Sequence, residues 1–320
     1  MISVPSIAED GGAVFVVTDI HAGKRARGSA NQIIEMTPYN HMKMGRDMDN
    51  ISQWADAMAL AGDLIDWAVP EPEDDLFSSW FNARANKGKY VVCSGNHDLG
   101  SHASPYPARS GDEWSSATGF ERAVTHDVDG NIQIVAISQE SMAFNEWIVP
   151  ERAATDSRPE VKPGRGFDVP QSTLNYLEAA LQTGKPTWLM MHYSFREQNS
   201  TIDVNLQCNE KLVDILTRYT NVIGVLSGHR HCNPFTDANS FVPVTITGNG
   251  ITKTIAGVNC PSSGGQMAGT SEYPWDNRFI GTLAQYKDGV VTVRWRDMIQ
   301  QQWLRCRGTY SVKIETDCTA

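Results

Sequence analysis

The chain lacks any apolar run approaching the roughly 18 residues that a membrane-spanning helix needs, and its six cysteines include no Cys-x-x-Cys pair. The first absence points to a soluble globular protein. The second argues against a structural zinc ribbon or a thioredoxin-like redox site. Cys93, Cys208, Cys232, Cys260, Cys306 and Cys318 therefore read as reduced structural thiols, with Cys306 and Cys318 placed to pair only in an oxidising compartment. Positive charge is also scarce: 27 basic against 37 acidic side chains leave a net charge of −10 and no basic tract. Sequence-independent binding of nucleic acid would thus work against the overall field. Glu9 and Asp10 precede the short apolar run Ala13 to Val17, where a secretory signal would have a basic start and an apolar segment of roughly 7–15 residues. The expectation is a cytoplasmic protein. With no internal repeat, low-complexity tract or composition break, residues 1–320 read as one domain.

Continuous apolar runs mark strands buried on both faces: Ala13 to Thr18, Lys89 to Cys93, Ile132 to Ile137, Thr187 to Met191 and Asn221 to Ser227. Helical periodicity is read over Met48 to Ala61 through Ile51, Trp54, Ala55 and Met58, with Asp49 or Asn50 as cap, and over Leu76 to Ala85, Gln171 to Leu181 and Glu210 to Tyr219. After residue 231 the pattern becomes period-two with glycine turns: Phe241 to Thr247, Ile251 to Ala256, Gly281 to Tyr286, Val290 to Trp295 and Tyr310 to Ile314. Two irregular stretches, 99–127 and 139–169, read as cap-like loops. Within them Trp114, Phe120, Phe144 and Trp147 are expected to pack inside a cap, and Arg152, Arg158 and Arg165 to be solvated. His41, His102 and His126 are expected at the surface, although the loops carrying His41 and His102 could roof a site.

Five polar motifs sit at strand ends or at a helix-to-strand turn: Asp19-x-His21, Gly62-Asp63-x-x-Asp66, Gly95-Asn96-His97-Asp98, His192 and Gly228-His229-x-His231. Ligands of open α/β sheets gather outside the carboxyl ends of the strands, so these residues should meet in one crevice. Imidazoles and carboxylates without thiolate suit Zn²⁺, Mn²⁺ or Fe. In an extended segment, Asp19 and His21 would point to one face and reach a single ion, as would His229 and His231. A pair of ions needs a bridging carboxylate.

In this order the motifs resemble the calcineurin-like metallophosphoesterases, and they bracket residues 19 to 231, about two-thirds of the chain. The resemblance implies an α/β fold, a four-layer α/β/β/α sandwich of two mixed sheets with helices outside. It also implies two divalent or transition metal ions (Mn, Fe or Zn). Asp19, His21 and His231 would hold the first, Asn96, His192 and His229 the second, with Asp63 between them. His97 would lie near the leaving group with Asp66 orienting it, and Asp98 would support the local backbone. The implied reaction is in-line attack on phosphorus by a metal-bridging hydroxide, in a pocket whose metals leave it positive despite the acidic chain.

Within the family, protein phosphatases usually continue as GDxxDRG, whereas Asp66 is followed here by Trp67-Ala68. Lipid A pathway hydrolases carry Arg where this chain has His97. Repair nucleases generally have DNA-binding surfaces that an acidic chain without a basic tract does not suggest. The layout most resembles bacterial class III cyclic-nucleotide phosphodiesterases, apart from His192-Tyr-Ser-Phe195 where relatives often have His-His-Pro. The implied function is hydrolysis of a small phosphodiester, with a phosphomonoesterase as the alternative and a nuclease or non-catalytic scaffold further off. A small phosphate ester is the expected partner, and the oligomeric state stays open, a homodimer included.

Overall fold

The computed structural model describes residues 12–22, 38–65, 72–99, 109–139, 169–193, 210–234, 240–264, 267–268, 275–276 and 279–311. Ala13-Val-Phe-Val-Val17 forms β1, and its alternation explains the layering. Val14 and Val16 face a core between two sheets, while Ala13, Phe15 and Val17 face a second core beneath helices. β1 pairs in parallel with β2 (Ala57–Ala61), which pairs in parallel with β3 (Tyr90–Cys93).

The second sheet contains β4 (Ala123–Asp127), β5 (Gln133–Ile137), β6 (Thr187–Met190), β7 (Val222–Ser227), β8 (Phe241–Gly248) and β9 (Ile251–Asn259). Its order is β4-β5-β6-β7-β9-β8, parallel from β5 through β9 and antiparallel at both edges. A small pair, β10 (Met267–Ala268) and β11 (Trp275–Asp276), follows. The chain then returns to the first sheet as β12 (Ile280–Lys287), β13 (Val290–Asp297) and β14 (Gln302–Ser311), giving β14-β13-β12-β1-β2-β3. Both sheets are mixed. Asn249-Gly250 and Asp288-Gly289, all at positive φ, turn the two-residue hairpins β8–β9 and β12–β13.

Helices cover both outer faces. Met44, Met48 and Ile51 of α1 (Pro38–Ile51), Phe77 of α2 (Pro72–Asn82) and Leu99 of the one-turn α3 (Asn96–Leu99) pack on the outer face of the first sheet. Trp114 of α4 (Gly111–Thr118) joins them. Leu174, Leu177 and Leu181 of α5 (Gln171–Leu181) pack on the second sheet with Leu212 and Leu216 of α6 (Glu210–Arg218). The result is the α/β/β/α sandwich. Among the described residues, no helix is long and apolar enough to cross a membrane.

The helix expected over 48–61 is corrected. α1 ends at Ile51, and Ala-Met-Ala-Leu-Ala is a fully buried strand. Alanine's helix propensity loses to parallel pairing on both sides. Residues 109–127 are not an irregular cap either, because they form α4 and β4. Ser110 and Glu113 make a reciprocal capping box and Gly119 closes the helix in the left-handed region. Trp114 and Phe120 pack in the core rather than in a cap. His41, expected at the surface, is buried at 8% exposure. The last described strand, Gln302–Ser311, begins eight residues before the expected 310–314, of which 312–314 lie outside the described residues. Cys93, Cys232 and Cys260 are buried. Cys208 and Cys318, His102, Phe144, Trp147 and the three arginines of 139–169 lie outside the described residues.

Candidate metal centre

The parallel strands β1, β2, β3, β6 and β7 all end at one edge of the sandwich, and each is followed by one of the five motifs. The first two turns brace each other. Asp19 N–H donates to the Gly62 carbonyl, His21 N–H to Asp63 and Ala22 N–H to Leu64, extending the β1–β2 ladder into the turns. The backbone there is not extended: Asp19, His21, Asp63, His229 and His231 all have positive φ, between 48° and 66°. Asp and His tolerate this region better than most side chains, but each residue held there costs on the order of 1–3 kcal/mol. The extended segments expected at Asp19-x-His21 and His229-x-His231 are therefore corrected.

Two motif glycines are fixed by close approach. A Cβ on Gly95 would collide with Asp63 Oδ1, and one on Gly228 with Thr18 Oγ1 and Asp19 Oδ2. Asp98 accepts from the N–H groups of Gly95 (2.7 Å), Leu64 (2.9 Å) and Ile65 (3.1 Å), tying the third motif to the second. Burial and the neighbouring Asp63 charge push its carboxyl up to about 7.

Three sets of side chains gather their donor atoms within 4.8 Å: Asp19, His21 and His231; Asp63, His192 and His229; and His21, Asp63 and His97. In the first, His231 Nε2 lies 3.0 Å from Asp19 Oδ1 and 3.3 Å from His21 Nε2. In the second, His192 Nε2 lies 3.2 Å from Asp63 Oδ2 and 3.1 Å from Asn96 Oδ1, while His229 Nδ1 lies 3.0 Å from the same Asn96 oxygen. His192 donates its Nδ1–H to the Ala61 carbonyl at 2.8 Å, so its Nε2 faces two oxygens and must carry either a proton or a metal cation there.

The titration behaviour agrees. Burial opposes ionisation of Asp19, but His231 and His192 together hold its carboxyl low. Burial likewise opposes Asp63, which His192 and His97 hold well below the carboxylate range. For His192, burial is outweighed by Asp63 and the imidazole is raised to about 9, so the pocket demands positive charge at that nitrogen. Burial, reinforced by His192, lowers His229 to about 3. His97 stands at the mouth, its side chain 19% exposed, with Nε2 3.9 Å from Asp63 Oδ2 and its N–H donating to Asp63 Oδ1. Asp66 lies outside the described residues.

Several contributors carried no sequence signal. Thr18 Oγ–H lies between Asp19 Oδ2 (2.9 Å) and the Ala61 carbonyl (2.8 Å). Gln139, buried at the end of β5, accepts the Tyr193 N–H at 2.9 Å, and the Tyr193 ring lies 4.4 Å from that of His229. The Ser262-Ser263-Gly264 segment presses on the Asp19 turn.

The calcineurin-like phosphoesterase family model matches residues 13–233. The chain belongs to that family. The family implies a metal-dependent phosphoester hydrolase with a dinuclear centre. A dimetal phosphatase from Danio rerio shares the fold at a TM-score of 0.60 and 10% identity, over 94% of this chain and 99% of that one. A purple acid phosphatase from yellow lupin (Lupinus luteus) seeds aligns with a TM-score of 0.56 and 14% identity, over 94% of this chain and 53% of that one. No curated protein matches the sequence.

Proposed function

We propose that this metallophosphoesterase hydrolyses a small phosphodiester at one dinuclear centre, with residues 1–320 acting as a single catalytic unit in the cytoplasm. Asp19, His21 and His231 would hold one ion, Asn96, His192 and His229 the other, and Asp63 would serve both. The observation that carries this reading is that three groups of imidazole and carboxylate ligand atoms, each gathered within 4.8 Å, are joined through His21 and Asp63. Bound there, Mn, Fe or Zn ions would supply Lewis acidity toward the phosphoryl oxygens and a nucleophile available at neutral pH.

The protein's own groups have separate tasks. Asp63 fixes the N–H of His97 and so sets where that ring stands. From the half-open mouth His97 would give a proton to the departing alkoxide, with Asp66 holding its tautomer. Asn96 contributes a neutral oxygen, which keeps the pocket from accumulating a third carboxylate charge. The buried walls exclude water and strengthen each interaction with the phosphoryl group.

Both solved structures are named phosphatases, which favours a phosphomonoesterase as the second reading. Turnover of metal-loaded protein on bis(p-nitrophenyl) phosphate beside p-nitrophenyl phosphate, with Mn²⁺, Zn²⁺ and a chelated control, separates them. A preference for the diester is expected. A monoester preference would move the protein to the phosphatase branch, and loaded protein inactive on both would overturn the catalytic reading.

A further inference from the structure

The segment that leaves β9, Cys260 to Gly264, runs beneath the first motif, and its two serines are fully buried. Ser262 Oγ–H donates to the Asp19 carbonyl at 3.0 Å and accepts the Gly264 N–H at 3.1 Å. Ser263 N–H donates to the Thr18 carbonyl at 2.8 Å, and its hydroxyl donates to the Ile280 carbonyl at 2.9 Å. A Cβ on Gly264 would stand 2.6 Å from both the Asp19 and the Ile20 carbonyl oxygens. Cys260 N–H is held by the Ser227 carbonyl at 2.7 Å, immediately before Gly228-His229. This short stretch therefore touches the turn carrying Asp19 and His21 and the strand end carrying His229 and His231, which belong to different sheets.

We propose that Ser262, supported by Gly264, is a positioning residue for the ion held by Asp19, His21 and His231. The proposal rests on the dinuclear reading above. The Asp19 and His21 backbones lie in the left-handed region, where the chain does not stay unaided. Asp19 uses its N–H on the Gly62 carbonyl, and the Ser262 hydroxyl takes its C=O, so both ends of the residue's backbone are tied. Fixing this peptide fixes where the carboxylate of Asp19 and the ring of His21 stand. Among the described residues, the contacts of Ser262 and Gly264 fall on the Asp19 turn and not on Asn96, His192 or His229, so the effect should fall on one ion of the two.

The experiment is calorimetric titration of the metal-free full chain with Mn²⁺ and, separately, Zn²⁺, together with its melting temperature. Wild type is expected to take two ions. Ser262→Ala should weaken one binding event by about tenfold or more, as loss of support behind a ligand does, leaving the other event nearly unchanged, and should lower the metal-free melting temperature no more than Ser263→Ala does. Gly264→Ala, which presses on the same carbonyls without removing the hydroxyl, should weaken the same event. Ser263→Ala is the structural control, expected to lower the melting temperature with both affinities retained. Equal weakening of both events in Ser262→Ala, or a melting shift alone, would overturn the positioning role. A wild type that takes no ion would instead overturn the dinuclear reading, and the proposal with it.

Discussion

Two places in this molecule bury charge almost completely, and they do so in opposite ways. Asp47 on α1 and Arg296 on β13, 0% and 1% exposed, meet as a two-pronged ion pair with distances of 2.6 and 2.7 Å. There each carboxylate oxygen has its own N–H, and the pair closes on itself. Asp19 and Asp63 are buried as deeply, at 0% and 2%, yet their nearest side-chain partners include imidazole nitrogens that face other acceptors. The first cluster is complete as folded, whereas the second is arranged around positive charge that the chain only partly supplies. Burial alone therefore does not separate a structural charge from a functional one, and the direction in which lone pairs point does.

The contrast can be broken most directly at Asp63. Asp63→Ala should remove metal binding and activity together, by roughly 10⁴-fold or about 5 kcal/mol of transition-state stabilisation. The metal-free protein should lose some stability as well, since the fold holds this carboxyl in its charged form well below the ordinary range. Metal content, turnover and urea denaturation of the same preparation test this, and a variant that keeps both ions would remove Asp63 from its bridging position. Asp47→Asn should do the reverse. Leaving Arg296 buried and unpaired should cost about 3–5 kcal/mol of stability, with kcat/KM per folded molecule unchanged. If Asp47→Asn and Asp63→Ala gave the same profile, the distinction between the two clusters would fail.

A smaller effect sharpens the comparison within the site. His97 belongs to one of the three donor sets but is the most open of the site histidines with a measured contact to Asp63. His97→Ala should retain both ions and slow esters with poor leaving groups about 100-fold, while activated aryl esters lose far less. Equal losses on both substrates would argue that the ring orders the centre instead of supplying a proton.

How much of this was legible beforehand follows from where the information sits. The strand ends and their polar motifs are local in sequence, so the convergence of Asp19, Asp63, Asn96, His192, His229 and His231 could be anticipated from five short patterns and the topology rule for parallel strands. The continuous apolar runs and, after residue 231, the period-two runs together disclosed most strands of both sheets. What was hidden is non-local. Asp47 and Arg296 are 249 residues apart, Ser262 reaches Asp19 across 243, and nothing near any of them in sequence marks the pairing. Residues 57–61 were misread because alanine-rich β2 gains its strand from neighbours on both sides rather than from its own side chains. The capping box at Ser110 and Glu113, by contrast, was available in the sequence and would have found α4.

His41 shows a third way of burying a titratable group: among the described residues its Nε2 has no hydrogen-bond partner, and burial pushes the imidazole down to about 4. Between that value and the ordinary 6.5, the unfolded chain binds a proton that the native state refuses, so stability must fall as pH drops through this window and level off below it. At pH 5.5 the loss due to this one group is about 1.4 kcal/mol relative to neutral pH. His41→Met, which keeps an apolar side chain of similar reach and removes the titration, should therefore be less acid-sensitive than wild type by about that amount in urea denaturation at pH 7 and 5.5. An unchanged pH slope would mean that the native state takes up the His41 proton as readily as the unfolded chain does, so that the ring is not held neutral by burial.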